Sequence, residues 1–324
     1  MRMSDSPNPF ISVIITAHRR REFLLSAVES ALHQTLPRDY YEIIVIKDFE
    51  EEELDMFLDN NYVKKILIGE CNVGKMLFKA IEESRGKVIS FLDDDDMFHS
   101  DKLEIVYDTF SKNHDLAYYW NNFSTDNNFS LVGARNGSLI IYNSIKQVLK
   151  LGNKGRYNMS SISISRKNIS SGERKIFSNI ESGQDITLFF LSLFTKGKFA
   201  IDTRELTFYR IHSFSSMHSS NTNDFVRQYR SIKFIEDNAI ETDLKNEITK
   251  VRIRLQLNSI IFGNKADKIE IFGLLRDYAR CGLRTKLDLI TFFFLILEML
   301  EIDAISYLLR PVVIWNFQRQ FYVA

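Results

Sequence analysis

The N-terminal part of the chain alternates between short apolar runs and helix-like segments, and this alternation restricts the fold more than any other feature. Four runs are short and almost continuously apolar, which predicts buried strands. They lie at residues 11–16, 41–48, 63–68 and 88–92. The segments between the runs are predicted to be helices, at residues 23–32, 51–60 and 76–85. This order predicts an α/β fold, with a mainly parallel sheet and helices on both of its faces.

Four consecutive aspartates, Asp93 to Asp96, follow the last of these runs directly. Open α/β sheets bind their ligands at the carboxyl ends of parallel strands, so these side chains are placed where a ligand is expected. Neighbouring carboxylates repel one another, and a divalent cation relieves that repulsion. Oxygen ligands suit Mg²⁺ or Mn²⁺, which usually bridge to phosphate groups. A solvated acidic turn remains the alternative interpretation of this run.

Six segments, in order, resemble the nucleotide-sugar half of the family 2 glycosyltransferases. They are residues 12–24 (SVIITAHRRREFL), 27–35 (AVESALHQT), 72–74 (NVG), 91–96 (FLDDDD), 183–189 (GQDITLF) and 209–212 (YRIH). The resemblance extends from about residue 10 to about residue 215. It implies the GT-A fold, and it implies an inverting transferase that moves a sugar from a UDP- or GDP-sugar to a glycan or a lipid-linked acceptor.

The resemblance also implies a metal site, because the leaving group of such a donor is a diphosphate whose developing charge is best stabilised by a fixed cation. Asp95 is expected to ligate Mn²⁺ or Mg²⁺ directly. Asp93 is expected to support the metal or the donor ribose, and His212 to complete the metal shell. Asp96 could orient neighbouring groups instead.

Asp185 corresponds to the family's general base, the carboxylate that takes the proton of the acceptor hydroxyl. Gln184 stands before it, where the family usually has a glutamate. The alternative is that Asp185 is a structural residue of a helix start, since Asp is favoured in a first turn. Glu181 would then be the next carboxylate to consider.

Residues at several loop positions are expected to contact the donor nucleotide. They are Thr16, Ala17, His18, Asp48, Asn72, Gly74, Lys75, Asp93, Asp94 and Arg210. Lys47 occupies the position of the aspartate that commonly reads the nucleobase in the family. Asp48 could take over that role, or the base could be held differently, so the identity of the donor stays open.

Composition narrows the class of partner and the compartment. Lys and Arg number 42, as do Asp and Glu, so no overall charge favours nucleic acid. The two cysteines, Cys71 and Cys281, are predicted to be free thiols of a reducing compartment. Residues 1–10 lack the apolar core of a signal peptide. We therefore expect a cytoplasmic protein, with the inner face of the cell membrane as a further location.

After about residue 222 the sequence loses strand-like patterns and predicts only helices. We therefore predict two domains, residues 1–222 for catalysis and donor binding, and residues 223–324 as a helical C-terminal domain. The apolar tail at 304–322 is rich in aromatic residues. It could contact a membrane surface peripherally, form a homodimer, or pack within its own helical bundle.

Two rival functions share parts of this pattern. A nucleotidyltransferase-like, metal-dependent enzyme would use the same acidic segment but would not need Asp185 or residues 209–212. A catalytically degenerate carbohydrate-binding scaffold would be compatible with Lys47 and Gln184. A dinucleotide-dependent dehydrogenase is disfavoured, because no G-x-G-x-x-G motif follows the first strand.

Overall fold

The computed structural model describes residues 8–69, 72–126, 129–133, 136–151, 158–169, 176–177, 179–212, 222–238, 242–261 and 266–300. The chain divides into two compact units. The first contains residues 1–180 and 184–213, and the second contains residues 181–183 and 214–324. The roles predicted for the two domains stay predictions.

A nine-stranded sheet forms the first unit. Its strands are β1 Ile11–Ala17, β2 Tyr41–Lys47, β3 Lys64–Leu67, β4 Val88–Asp93, β5 Met97–Phe98, β6 Leu116–Ser124, β7 Leu139–Tyr142, β8 Ile162–Ser165 and β9 Lys198–Phe208. The order across the sheet is β3-β2-β1-β4-β8-β6-β9-β5, and β7 pairs with β9. Strands β1 to β4, β6 and β9 run in one direction, and the other three run against them. The sheet is therefore mainly parallel, as predicted.

Six α-helices whose bounds lie within the described residues accompany the sheet in this unit. They are α1 Leu24–Leu32, α2 Glu52–Asn60, α3 Val73–Glu83, α4 Lys102–Lys112, α5 Ile145–Leu149 and α6 Gln184–Phe194. Helix α3 begins three residues earlier than the predicted start at residue 76. The side chain of Asn72 causes this, since its Oδ1 accepts a hydrogen bond from the Lys75 amide at 2.8 Å and caps the first turn.

Strand register brings the ends of the first strands to one edge of the sheet. Thr16, near the end of β1, pairs with Asp93 at the end of β4. Ala17 pairs with Lys47 at the end of β2. Beneath this edge, the fully buried side chains of β1, β2 and α1 pack into one apolar core. Because that core excludes water, it fixes the positions of the polar residues that follow each strand.

Four helices make up the described part of the second unit: α7 Thr222–Asn238, α8 Thr242–Ile261, α9 Lys268–Arg280 and α10 Lys286–Met299. Their positions confirm the predicted helical C-terminal region. Among the described residues, none of the helices combines the length and the apolar character that crossing a bilayer requires. Cys281 is a buried free thiol. Cys71 and the tail at 304–322 lie outside the described residues.

A buried ionic cluster joins three of these helices. Asp288, near the start of α10, is only 1% exposed and accepts hydrogen bonds from Lys250 Nζ, Arg254 Nη2 and the Tyr278 hydroxyl at 3.1, 2.6 and 3.0 Å. Backbone N–H groups and the two cations lower the pKa of Asp288 to about 2, overcoming the opposing effect of burial. These bonds fix how α8, α9 and α10 pack.

Candidate active site

The acidic segment leaves the end of β4 and turns into β5. One carboxylate oxygen from each of Asp93, Asp95 and Asp96 lies within 4.8 Å of the others, a spacing that suits a shared cation. Within the described part of the chain, Asp94 Oδ2 is buried and has no hydrogen-bond partner. Hard oxygen donors that lie this close together fit Mg²⁺ or Mn²⁺.

Burial and mutual repulsion act together on these carboxyl groups. They hold the pKa of Asp93 well above its ordinary value and raise the pKa of Asp96 to about 8. Burial also raises the pKa of Asp94 to about 7, although Arg20 opposes that effect. A segment that resists full ionisation in this way is stabilised by a bound positive charge.

Arg20 provides positive charge at this position. Its Nη2 lies 2.5 Å from Asp94 Oδ1, and its Nη1 lies 2.5 Å from Asp95 Oδ2. His212 Nε2 contacts the same Asp95 oxygen at 2.9 Å. Sequence reasoning identified His212 but missed Arg20, although the basic run 19–21 begins two residues after the end of β1, which lies beside β4.

Arg210 and Ser160 hold Asp96 from two sides. The Arg210 amide donates to Asp96 Oδ1 at 3.0 Å, and the Ser160 hydroxyl donates to Asp96 Oδ2 at 2.6 Å. Arg210 Nε also donates to the Asp95 carbonyl at 2.9 Å. Both oxygens of Asp96 are therefore engaged by the protein, which fits the orienting role expected for it.

Lys102 supports this arrangement from the interior. It is fully buried, and its ammonium group contacts the Ser160 carbonyl and lies 3.1 Å from Thr207 Oγ1. Burial holds the pKa of Lys102 well below its ordinary value. No sequence pattern identifies this role of Lys102, because one lysine in an amphipathic helix normally belongs to the solvent face.

Asp185 lies at the start of α6 and is held by two backbone amides. Ile186 N donates to its Oδ1 at 2.8 Å, and Asn158 N donates to its Oδ2 at 3.0 Å. Burial nevertheless raises its pKa to about 6. The side chain of Asn158 in turn accepts a hydrogen bond from Ser160 N at 3.0 Å. The turn at residues 158–161 thus connects Asp185 to the acidic segment.

At the end of β2, the neighbouring residues Lys47 and Asp48 have different partners, which the sequence alone could not establish. Lys47 is buried, and its ammonium group lies 2.9 Å from Asp55 in α2 and donates to the Phe49 carbonyl at 2.7 Å. Asp48 instead contacts His18 Nδ1 at 2.7 Å and accepts from the Arg19 amide at 2.8 Å. Lys47 is therefore bound to α2, whereas Asp48 binds the loop that follows β1.

The predicted donor contacts at the start of α3 have clear local roles. Asn72 caps the helix. A Cβ at Gly74 would overlap the Phe177 carbonyl and lie 2.6 Å from that of Ile180, so only glycine allows this approach. Lys75 is exposed. Thr16 and Ala17 lie at the end of β1, in register with Asp93 and Lys47 respectively.

Comparison with known proteins places the first unit in a family. Residues 12–171 match the model described as Glycosyl transferase family 2. One relative is the Bacillus subtilis protein that carries the name "Putative teichuronic acid biosynthesis glycosyltransferase TuaG". It is 31% identical over 103 residues, which are 30% of this chain and 40% of that protein. Chondroitin synthase of Escherichia coli is 28% identical over 130 residues, which are 38% of this chain and 19% of that protein. The matches span between 14% and 40% of the lengths of the curated relatives.

Solved structures share the fold at low sequence identity. S. aureus TarS 1-349 in complex with UDP-GlcNAc has a TM-score of 0.63 at 13% identity, covering 95% of this chain and 91% of that one. The mannosyltransferase PcManGT of Pyrobaculum calidifontis, in complex with GDP-Man and Mn²⁺, has a TM-score of 0.55 at 9% identity, covering 93% and 88%. Together, the matching model, the relatives and the shared fold show that this chain belongs to glycosyl transferase family 2 and has the GT-A fold.

Proposed function

We propose that the protein is an inverting, metal-assisted glycosyltransferase that moves a sugar from a nucleotide-sugar to a glycan or lipid-linked acceptor. The observation that carries this proposal is the turn at residues 158–161. Through Ser160 it binds Asp96 of the acidic segment, and through Asn158 it binds Asp185. The acidic segment and a basic carboxylate are thereby held by one short piece of backbone.

The leaving-group side of the site consists of the acidic segment and its basic neighbours. Asp93, Asp95 and His212 would hold Mn²⁺ or Mg²⁺. When bound, this cation supplies charge stabilisation to the departing diphosphate. Arg210, which is fixed by its bonds to Asp95 and Asp96, offers a planar guanidinium suited to phosphate oxygens.

The acceptor side depends on Asp185. With a pKa of about 6 this carboxylate is ionised at neutral pH, and it is more basic than an ordinary aspartate. Each of its oxygens accepts one backbone hydrogen bond, which leaves further lone pairs for an acceptor hydroxyl. Asp185 takes the proton of the acceptor hydroxyl as the hydroxyl oxygen attacks the anomeric carbon, from the face opposite the diphosphate leaving group. Attack from that face inverts the anomeric configuration.

We propose a UDP- or GDP-sugar as the donor. TarS and PcManGT, which share the fold, have structures with UDP-GlcNAc and with GDP-Man and Mn²⁺. Asp48, with Thr16, Ala17 and His18, would contact the nucleoside. Asn72, Gly74 and Lys75 would approach it from the start of α3, and Asp93 and Asp94 would contact the ribose and the sugar.

For the acceptor we propose a glycan, free or lipid-linked, in the cytoplasm or at the inner face of the cell membrane. The names of TuaG and chondroitin synthase refer to the synthesis of teichuronic acid and of chondroitin. The C-terminal helices are the proposed place of peripheral membrane contact or of homodimer formation. Side chains exposed around the α9–α10 connection, such as Leu289 at 57% and Phe293 at 51%, support such a contact.

Metal-dependent turnover is the first test. With a panel of nucleotide-sugars, we expect release of nucleoside diphosphate with Mn²⁺ or Mg²⁺, loss of that release with EDTA, and recovery when metal is added back. Asp95→Ala should weaken both donor binding and turnover, because the metal site serves both. Full activity in chelator would exclude the metal assignment. Release of pyrophosphate instead would favour a nucleotidyltransferase, and donor binding without any turnover would favour a scaffold.

A further inference from the structure

We propose that Arg20 is the built-in counter-ion of the donor-free site, which leaves Asp95 when a divalent cation binds and then binds the diphosphate of the donor. The second half of this inference rests on the proposed donor chemistry, whereas the first half concerns only the acidic segment. Arg20 has no role in the function proposed above.

Arg20 and His212 share one carboxylate oxygen of Asp95. Asp95 Oδ2 lies 2.5 Å from Arg20 Nη1 and 2.9 Å from His212 Nε2, and these two nitrogens are themselves 3.2 Å apart. The guanidinium thus occupies the space beside the two groups that the metal would use. A cation that binds Asp95 through this oxygen has to take the place of Arg20.

Charge explains why this position needs a cation at all times. One carboxylate oxygen from each of Asp93, Asp95 and Asp96 lies within 4.8 Å of the others, and Asp94 and Asp96 are buried, so the repulsion between these charges is poorly screened and costly. Arg20 lowers that cost by contacting Asp94 and Asp95 together. Once a divalent cation is bound, the guanidinium becomes its like-charged neighbour and is repelled.

Geometry also gives Arg20 an alternative partner. Its side chain is 36% exposed, and it belongs to the loop between β1 and α1 rather than to either element. The planar fork that spans two carboxylates is equally suited to two phosphate oxygens. A donor diphosphate bound beside the same acidic segment therefore provides the charge that Arg20 loses at Asp95.

The test measures Mn²⁺ binding to the full-length, donor-free protein by electron paramagnetic resonance. Arg20→Met keeps an unbranched apolar stem but removes the guanidinium and its charge, so we expect Mn²⁺ to bind at least about 10-fold more tightly than in the wild type. At saturating Mn²⁺, the same variant should bind UDP or GDP about 10-fold more weakly. Arg20→Lys should change both affinities less than Arg20→Met does, because lysine retains the charge but not the planar fork.

Arg21→Met is the matched control. It removes the same charge from the same loop, but Arg21 lies over the Phe49 ring, at 4.9 Å from its centre. It should change Mn²⁺ affinity little. Equal or weaker Mn²⁺ binding by Arg20→Met, or no Mn²⁺ binding by that variant, would overturn the inference even if the wild type transfers sugar. Tighter Mn²⁺ binding without turnover of any nucleotide-sugar would support the counter-ion role while refuting the proposed function.

Discussion

At the scale of single residues, Asp185 shows how opposing effects set the chemistry of one side chain. Two backbone N–H groups favour its charged form, whereas burial disfavours that form and has the larger effect. The resulting pKa of about 6 lies above the ordinary aspartate value of 3.8. A carboxylate with this pKa is ionised at neutral pH and yet accepts a proton readily.

The pH dependence of turnover follows from this pKa. Because the proposed base, Asp185, can accept the proton only in its ionised form, kcat/KM should rise with pH through about 6 and level off above it. Initial rates at low donor concentration, in buffers of constant ionic strength, measure this directly. The effect of pH on the free energy of unfolding has the opposite sign. The raised pKa means that Asp185 destabilises the fold once ionised, so its contribution improves as the pH falls through about 6. A rate that is flat across this range would contradict the assignment.

Asp185→Asn tests the same residue by substitution. The amide cannot take the proton, so turnover should fall by roughly 10²-fold or more, with donor affinity nearly unchanged. An amide can accept from Ile186 N or from Asn158 N but not from both, and the melting temperature should therefore be recorded alongside the rate. If transfer stays near normal, Asp185 is structural and Glu181 becomes the next candidate.

The stereochemistry of the reaction is tested separately. Nuclear magnetic resonance of the linkage that the wild type forms reports whether the anomeric configuration is inverted.

At the scale of elements, the turn at residues 158–161 matters more than its sequence suggests. Ser160 donates to Asp96, accepts from the Asp93 amide at 3.0 Å and has its carbonyl held by Lys102. Asn158 adopts a left-handed backbone conformation, with φ of 70°, while its backbone N–H donates to Asp185. Such a backbone conformation is unusual for a residue other than glycine and persists only when its surroundings fix it.

Ser160→Ala should separate the role of this turn from ordinary packing. It leaves the Asp93 amide and one buried oxygen of Asp96 without their partner, which costs about 1–3 kcal/mol of stability. It should also raise the KM for the donor, because the acidic segment loses its anchor. Ser163→Ala is the control, since its hydroxyl forms a hydrogen bond with the Ser90 hydroxyl of the neighbouring strand, at 2.7 Å, away from the acidic segment. Loss of stability in both variants, with an unchanged KM in Ser160→Ala, would make the turn merely structural.

Local patterns decide how much of each element could be predicted. β1 to β4 and the helices between them repeat one arrangement, and their predicted bounds agree with the structure to within three residues. Strands beyond residue 96 were not assigned. β5 has two residues and β7 and β8 have four, too few to show a period, although aromatic residues in β6 favour a strand. Arg20, Lys102 and Ser160 were missed because their roles arise from contacts between residues distant in sequence.

At the scale of the whole molecule, the helical unit combines a rigid interior with an unusual surface. Asp288 links α8, α9 and α10 inside the unit. Outside, the connection between α9 and α10 exposes apolar and basic side chains near one another in sequence. They are Arg276, Arg280, Leu283, Arg284, Lys286, Leu289, Ile290 and Phe293. Apolar side chains flanked by cations are typical of surfaces that bind anionic membranes.

Liposome flotation tests whether this surface binds a membrane. We expect the full chain to float with vesicles containing phosphatidylglycerol and to float less with phosphatidylcholine alone, because each basic residue adds attraction to anionic lipid. Arg280→Glu with Arg284→Glu should reduce flotation and leave the fold intact, since Arg280 is 70% exposed and contacts only Asp277, at 3.7 Å, among the described ion pairs.

A chain ending at Asp303 then separates this surface from the tail at 304–322. Retained flotation in the truncated chain assigns membrane binding to the α9–α10 connection, and its loss assigns binding to the tail. If neither chain floats, and the full chain is dimeric while the truncated one is monomeric, the tail serves self-association and the membrane proposal is wrong.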